Sequence, residues 1–371
     1  MKLEGLRVVD LSLFLPGPYL TLALADHGAE VIKVEPPGEG DPTRHLGLSD
    51  GESTVYFRNL NRGKKSVVMD LKKPEEREAL LKLCESADVF VESFRPGVVE
   101  RLGVGYAQVS ARNPRIVYCS ISAFGQQGAL RDRPAHDLAV ESLSGVISLN
   151  LGQDGKPTIP ALPVADLVCA LQGLSGILMA LLRREKTGKG DYLDMAMYDA
   201  TLAATANILG PTLAENRQPV ARHERTTGGS AFYRLYETAD GRHLALGGQE
   251  MKFVRNLLGA LGRIELAPLC EKPGPHQQPV MELLEKTFKE KSLKDNLVFL
   301  SRLDVCYAPV HTLPEALDAA ADKLLRDEHG RRHLAPPIRF RDEPARPSLR
   351  EPRLGEHDVL KKGGSSGSGR G

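Results

Sequence analysis

The chain lacks an excess of charge of either sign, with 49 Lys and Arg against 48 Asp and Glu in 371 residues. A protein that works on nucleic acid or on an anionic membrane usually shows a basic surplus, so neither is expected as a partner. Any anionic ligand must then be met by a few placed cations. Cysteine is also scarce: Cys84, Cys119, Cys169, Cys270 and Cys306 are odd in number, far apart and mostly set in apolar runs. That argues against a disulfide frame or a zinc site and for reduced thiols in a cytoplasmic protein. No apolar run reaches the roughly 18 residues that a membrane helix needs. Met1 leads directly into a strand, which leaves no room for a signal peptide. The first strand is followed by Leu15-Pro-Gly-Pro18 instead of G-x-G-x-x-G. Nicotinamide and flavin chemistry is disfavoured on that ground. No internal repeat is found.

What is present is an ordinary globular composition, 41% hydrophobic and 26% charged, over a length that favours two domains. Short apolar strands alternate with amphipathic helices through the first half, the pattern of an open parallel α/β sheet. Strands are expected at residues 6–11, 30–35, 66–70, 89–92, 116–121 and 192–196. Helices are expected at 18–27, 74–87 and 198–209. Residues 165–182 are almost wholly small and apolar and read as a helix buried on most faces. Two strands at 232–237 and 243–246, joined through Asp240-Gly241, form a hairpin signal. Helices at 250–261, 278–289 and 292–301 then complete an α+β unit. The boundaries implied are a large domain over 1–215, a small one over 216–330, an extended C-terminal segment over 331–360 and a flexible tail over 361–371.

The chemistry concentrates in two places. Arg133-Pro-Ala-His-Asp137 and Pro163-Val-Ala-Asp166 each put a proton carrier where an irregular stretch becomes a helix. A helix start offers free N–H groups and a positive dipole end, which favour a carboxylate or an enolate oxygen without a metal. Taken singly, His136 and Asp166 read as a core histidine and an N-cap. Together they can remove a proton from one face of an activated carbon and return it to the other. An amide at the Asp137 helix start would hold the enolate oxygen. Asn61-Arg-Gly-Lys-Lys-Ser66 is the densest small basic cluster, and Arg95 in Ser93-Phe-Arg-Pro-Gly97 should stand at the carboxyl end of a strand. Glu250 follows two glycines in Leu246-Gly-Gly-Gln-Glu-Met251, where it reads as a first-turn acid or as a ligand-facing group.

These residues carry a resemblance. Over nearly its whole length the chain resembles the family III CoA-transferases, a family that also contains α-methylacyl-CoA racemase. The matching segments include Gly5-Leu-Arg-Val-Val-Asp-Leu-Ser12, Asn61-Arg-Gly-Lys-Lys-Ser66, Ser93-Phe-Arg-Pro-Gly97, Gly125-Gln-Gln-Gly128, Arg184-Glu-Lys-Thr-Gly-Lys-Gly190 and Leu354-Gly-Glu-His357. The resemblance implies a large, Rossmann-like α/β domain with an open parallel sheet, a small α+β domain, and an interlocked homodimer. It implies an acyl-CoA thioester as substrate and no cofactor beyond the CoA that the substrate carries. It assigns CoA contacts to Arg62, Lys64, Lys65, Ser66, Arg95 and Arg101.

Asp166 falls on the aspartate of both branches of the family. In transferases it attacks the thioester, and in racemases it carries a proton. His136-Asp137 and Glu250, the acid expected to hydrogen-bond that His, match the racemase form, as does Gly228-Gly-Ser-Ala-Phe-Tyr233. The insertion between Gly38 and Asn59, and Leu-Ala-Val after Asp137, lean towards transferases. The favoured reading is a racemase or epimerase acting at C2 of 2-methylacyl-CoA thioesters, and the alternative is a CoA-transferase.

Overall fold

The computed structural model describes residues 1–152 and 154–362. These residues divide into two compact units, one built from 1–144, 161–204 and the chain from 323 onward, the other from 145–160 and 205–322. The hand-over lies at 204/205 where 215/216 was expected, because the helix after the sixth strand stops at Ala204. The tail residues from 363 onward lie outside the described residues.

The first unit runs β1 (Arg7–Asp10), α1 (Pro16–Asp26), β2 (Glu30–Glu35), α2 (Val55–Asn61), β3 (Lys65–Val68), α3 (Pro74–Cys84), β4 (Val89–Glu92), α4 (Val98–Arg101), α5 (Tyr106–Arg112), β5 (Val117–Ser122), α6 (Asp137–Leu143), α7 (Val164–Thr187), β6 (Asp191–Ala196) and α8 (Met197–Ala204). The six strands form one parallel sheet in the order β3-β2-β1-β4-β5-β6. Most of their residues are buried on both faces, which is why they read as runs of valine and isoleucine without alternation. The charged exceptions are paired: the Lys33 ammonium in β2 lies 2.8 Å from Asp41 and donates to the Ser12 carbonyl.

Helix α7 lies against α1, β5 and β6, and two glycines allow it to. A Cβ on Gly173 would stand 2.8 Å from a Leu20 methyl, and one on Gly176 would stand 2.6 Å from a Leu193 methyl. At its far end the Arg184 guanidinium pairs with Asp88 at 2.8 Å, and Gly188 closes the helix at φ 68°. Two expectations fail on this helix. It is 24 residues long and, by length and composition alone, apolar enough to cross a membrane. It is also not buried on most faces, since only 33% of its most apolar stretch is buried. Ala165, Cys169, Ala170, Gly173 and Ile177 face inward, whereas Leu171, Leu178, Met179 and Leu182 are exposed. The composition hid this two-sidedness because both sides are apolar.

The second unit contains α9 (Gly210–Glu215), the hairpin β7 (Tyr233–Glu237) and β8 (His243–Gly247), α10 (Met251–Ala260), α11 (Gln278–Lys289), α12 (Leu293–Leu300), β9 (Tyr307–Pro309) and α13 (Leu313–Ala319). Strand β9 adds antiparallel to β8. The hairpin turns at Gly241, whose φ is 71°, and Asp240 accepts from the Thr238 hydroxyl at 2.6 Å. Phe232, Tyr236, Leu257, Leu284 and Phe288 centre its core.

The chain then returns to the first unit through β10 (Leu324–Arg326), β11 (Arg332–Leu334) and an extended run. That run covers β3, the outermost strand of the sheet. Gly63 N–H donates to the Arg350 carbonyl, His357 N–H to the Ser66 carbonyl, and Val68 N–H to Asp358. An exposed strand edge invites pairing with other chains, and the C-terminal segment occupies this one.

Candidate active site

The carboxyl ends of β1, β4 and β5 open into a cavity of about 750 Å³ within the first unit. Its lining includes Phe14, Arg95, Arg131, Arg133, His136 and Asp166. The edge is the one at which open α/β sheets bind ligands. His136 is the N-cap of α6, exposed, and its ring meets Phe14 edge-on with centroids 6.1 Å apart. Phe14 holds that place with φ 62°, a left-handed conformation costly for a bulky residue. Asp166 sits in the first turn of α7. The histidine and the aspartate separated by thirty positions therefore line one cavity.

The α7 start does not treat Asp166 as a simple helix-start carboxylate. Val164 N–H donates to Glu141 at 2.9 Å, and Asp166 N–H donates to Asp137 at 3.1 Å. The free amides that would stabilise an anion are thus used by two other acids, both from α6. Burial pushes the Asp166 carboxyl up to about 7, and the negative fields of Asp137 and then Glu141 add to it. Half-buried Tyr56 of α2 is raised by its own burial and then by the charge of Asp166, which brings it into the same electrostatic neighbourhood.

Glu141, Tyr56, Phe14 and Arg131 are site residues that sequence reasoning missed. A signal for Glu141 existed, since Asp137 and Glu141 stand four apart on one helix face, a spacing that sets like charges against each other.

The basic loop, expected to contact CoA, is held by partners within the first unit. Arg62 is buried, pairs with Asp26 at 2.7 Å and donates to the Leu334 carbonyl. Lys64 is buried and donates to Asp10, the Pro18 carbonyl, Thr21 and Asn61. Ser66 is buried and donates to Glu35 at 2.6 Å. Lys65 is half-buried and paired with Glu30. These groups tie α1, α2 and the sheet together, and the internal acids around them were invisible to a reading by cluster density. The cations at the cavity are others: Arg95, Arg131 and Arg133 line it. Arg101 joins their rim, since its guanidinium and that of Arg131 would lie 3.1 and 3.5 Å from a Cβ on Gly97.

Glu250 is exposed at the N-cap of α10, in the second unit. A larger cavity of about 1370 Å³ lies elsewhere in the first unit and holds none of the expected residues. Several of its arginines are already paired, Arg331 with Asp327 and Arg350 with Glu356. Among the described residues no group of three His, Cys, Asp or Glu is arranged to hold a metal.

A parallel sheet with an acid and a histidine at its carboxyl edge defines an α/β enzyme scaffold, and comparison with known proteins narrows it. The model of CoA-transferase family III matches residues 3–358, and the chain belongs to that family. It is 34% identical to the human alpha-methylacyl-CoA racemase over 99% of this chain and 94% of that one. It is 42% identical to the acetyl-CoA:oxalate CoA-transferase of Acetobacter aceti, over 58% of this chain and 56% of that protein, so this match spans about half of that relative. The fold matches a CAIB/BAIF family protein from Brucella suis with a TM-score of 0.83 and 32% identity, covering 97% of this chain and 98% of that one.

Two predictions follow from the site. The folded Asp166 carboxyl keeps its proton at pH values where the unfolded chain has lost it. Folding is therefore penalised increasingly from about pH 4 to about pH 7, and uniformly above that. In chemical denaturation at a series of pH values, Asp166→Asn should show no gain below pH 4 and a gain approaching about 4 kcal/mol at pH 8. Removing Lys64 takes away the cation paired with buried Asp10, which keeps its hydrogen bonds from Ser12 and Thr21, so Lys64→Met should cost about 3 kcal/mol of stability in the same assay, whereas Lys65→Met should cost under about 1 kcal/mol.

Proposed function

We propose that the chain exchanges the α-proton of 2-methylacyl-CoA thioesters, acting as a racemase or epimerase with two bases. The observation that carries this reading is that His136 and Asp166 line one cavity while the Asp166 carboxyl holds its proton up to about pH 7. A proton carrier works best when its affinity matches the working pH. A nucleophilic aspartate must be ionised at the outset, and burial beside two acids opposes that.

The thioester carbonyl acidifies the hydrogen on C2. His136 takes that proton, and the C–H electron pair moves into the carbonyl to give an enolate. The first amides of α6, next to Asp137, have no intrahelical acceptor and would hold the enolate oxygen. Protonated Asp166 returns a proton to the opposite face, and the reverse reaction exchanges the two roles. Arg95 and Arg101, joined by Arg131 and Arg133, supply the cations for the phosphates of CoA. The scheme calls for no cofactor beyond the CoA of the substrate. The reading includes a homodimer, supported by the exposed Leu171, Leu178, Met179 and Leu182 of α7.

The 42% match to a CoA-transferase favours a second reading. There, ionised Asp166 attacks the thioester and expels CoA thiolate to give an acyl-aspartyl anhydride; the thiolate then attacks the aspartyl carbonyl and releases the donor acid, and CoA passes from the aspartyl thioester to an acceptor acid. Incubation of a single enantiomer of a 2-methylacyl-CoA in D₂O, with no carboxylic acid present, separates the two. Uptake of deuterium at C2 with loss of optical purity is expected, and His136→Ala should slow it from one enantiomer by at least about 10²-fold. Retention of the C2 proton, with CoA moving only when an acid is added, would sink the racemase reading.

A further inference from the structure

Glu141 has no part in the scheme above, yet it lies at its centre. Its side chain is fully buried in α6, at 0% exposure. One carboxyl oxygen accepts the Val164 N–H at 2.9 Å, the Ala165 N–H also bears on the carboxyl, and Oε2 meets no donor among the described residues. A buried, unpartnered carboxylate oxygen is costly. Its neighbour is the carboxyl of Asp137, within hydrogen-bonding reach and equally without a proton to offer. Two carboxylates in that position repel, whereas one proton between them satisfies both. The pair then accepts the two amide protons at the start of α7, Glu141 from Val164 and Asp137 from Asp166.

We propose that Glu141 is a positioning residue that shares a single proton with Asp137 and thereby fixes the first turn of α7, keeping its amides away from the Asp166 side chain. This rests on the reading of Asp166 as a proton carrier. Burial first, and then the Asp137 neighbour, raise the proton affinity of Glu141. The other groups facing Asp166 are Tyr56 from α2 and Cys169 one turn along α7, with His136, Arg95, Arg131 and Arg133 around the cavity. Among them Glu141 is the one bound to the α7 backbone with an oxygen left over. Without it the Val164 N–H becomes available to Asp166, and the proton on Asp166 is held less tightly.

The test compares Glu141→Gln with Glu141→Ala. The amide of Gln accepts from Val164 and donates to Asp137 with no shared proton, so it should reproduce the native arrangement. The substrate-free readout is the stability gained at pH 8 when Asp166→Asn is introduced into each background. The gain should be unchanged in the Gln background and smaller by about tenfold in the folding equilibrium constant, about 1.4 kcal/mol, in the Ala background. In the D₂O assay, Gln should stay within about threefold of wild type, while Ala should lose about tenfold or more in kcat with KM little changed.

An Ala background with the full Asp166→Asn gain would make Glu141 a packing residue and overturn the proposal. A Gln variant as impaired as Ala in both readouts would also overturn it, since an ionised carboxylate would then be required. Wild-type protein that exchanges no α-proton would defeat the proton-carrier reading, and the stability cycle would still decide the role of Glu141.

Discussion

The structure turns on a competition for the backbone amides at the start of α7. Three carboxyl groups meet there, and the first-turn N–H groups go to Glu141 and Asp137. Asp166, on the same turn, is left buried with two acids beside it and no donor among the influences that set its charge. A helix N-terminus normally favours an anion. Here those amides serve other residues, and burial, with the two neighbouring acids, raises the Asp166 carboxyl to about 7. The close seating of α7 on α1 and β6 at Gly173 and Gly176 holds this turn at the carboxyl edge of the sheet.

The relatives of the chain include both a racemase and CoA-transferases. The reaction open to a shared aspartate depends on whether it begins with a proton. An ionised aspartate can attack a thioester, and a protonated one cannot. The neighbours of Asp166 are therefore as informative as Asp166 itself. His136, at the N-cap of α6 with Phe14 against its ring, would provide the second proton site that the proposed exchange requires and CoA transfer does not.

The main strands and longer helices were readable because most buried strands are short β-branched runs and helices such as α1, α3 and α11 have a proline at their start. Helices 278–289 and strands 30–35 and 89–92 fall where periodicity put them. The apolar composition of α7 was equally plain, but composition does not say which side of a helix meets its own chain, and its exposed leucines look the same as its buried alanines. His136 and Asp166 stood out from motif and helix-start chemistry, and the fold brings both to one cavity. Glu141 did not stand out, because its role depends on a contact with Val164 across 23 positions. The internal partners of the Asn61 to Ser66 loop were hidden for a similar reason: Asp26, Asp10 and Glu35, which engage Arg62, Lys64 and Ser66, are brought in by α1 and the sheet.

The central claim is that Asp166 holds a proton near neutrality. Infrared spectra of protein carrying ¹³C-labelled aspartate carboxyls, recorded across pH as wild type minus Asp166→Asn, report that proton directly. A protonated carboxyl band that disappears with a midpoint near pH 7 is the predicted result. A midpoint near 4, the ordinary range for aspartate, would contradict the account and return Asp166 to the role of an ionised nucleophile.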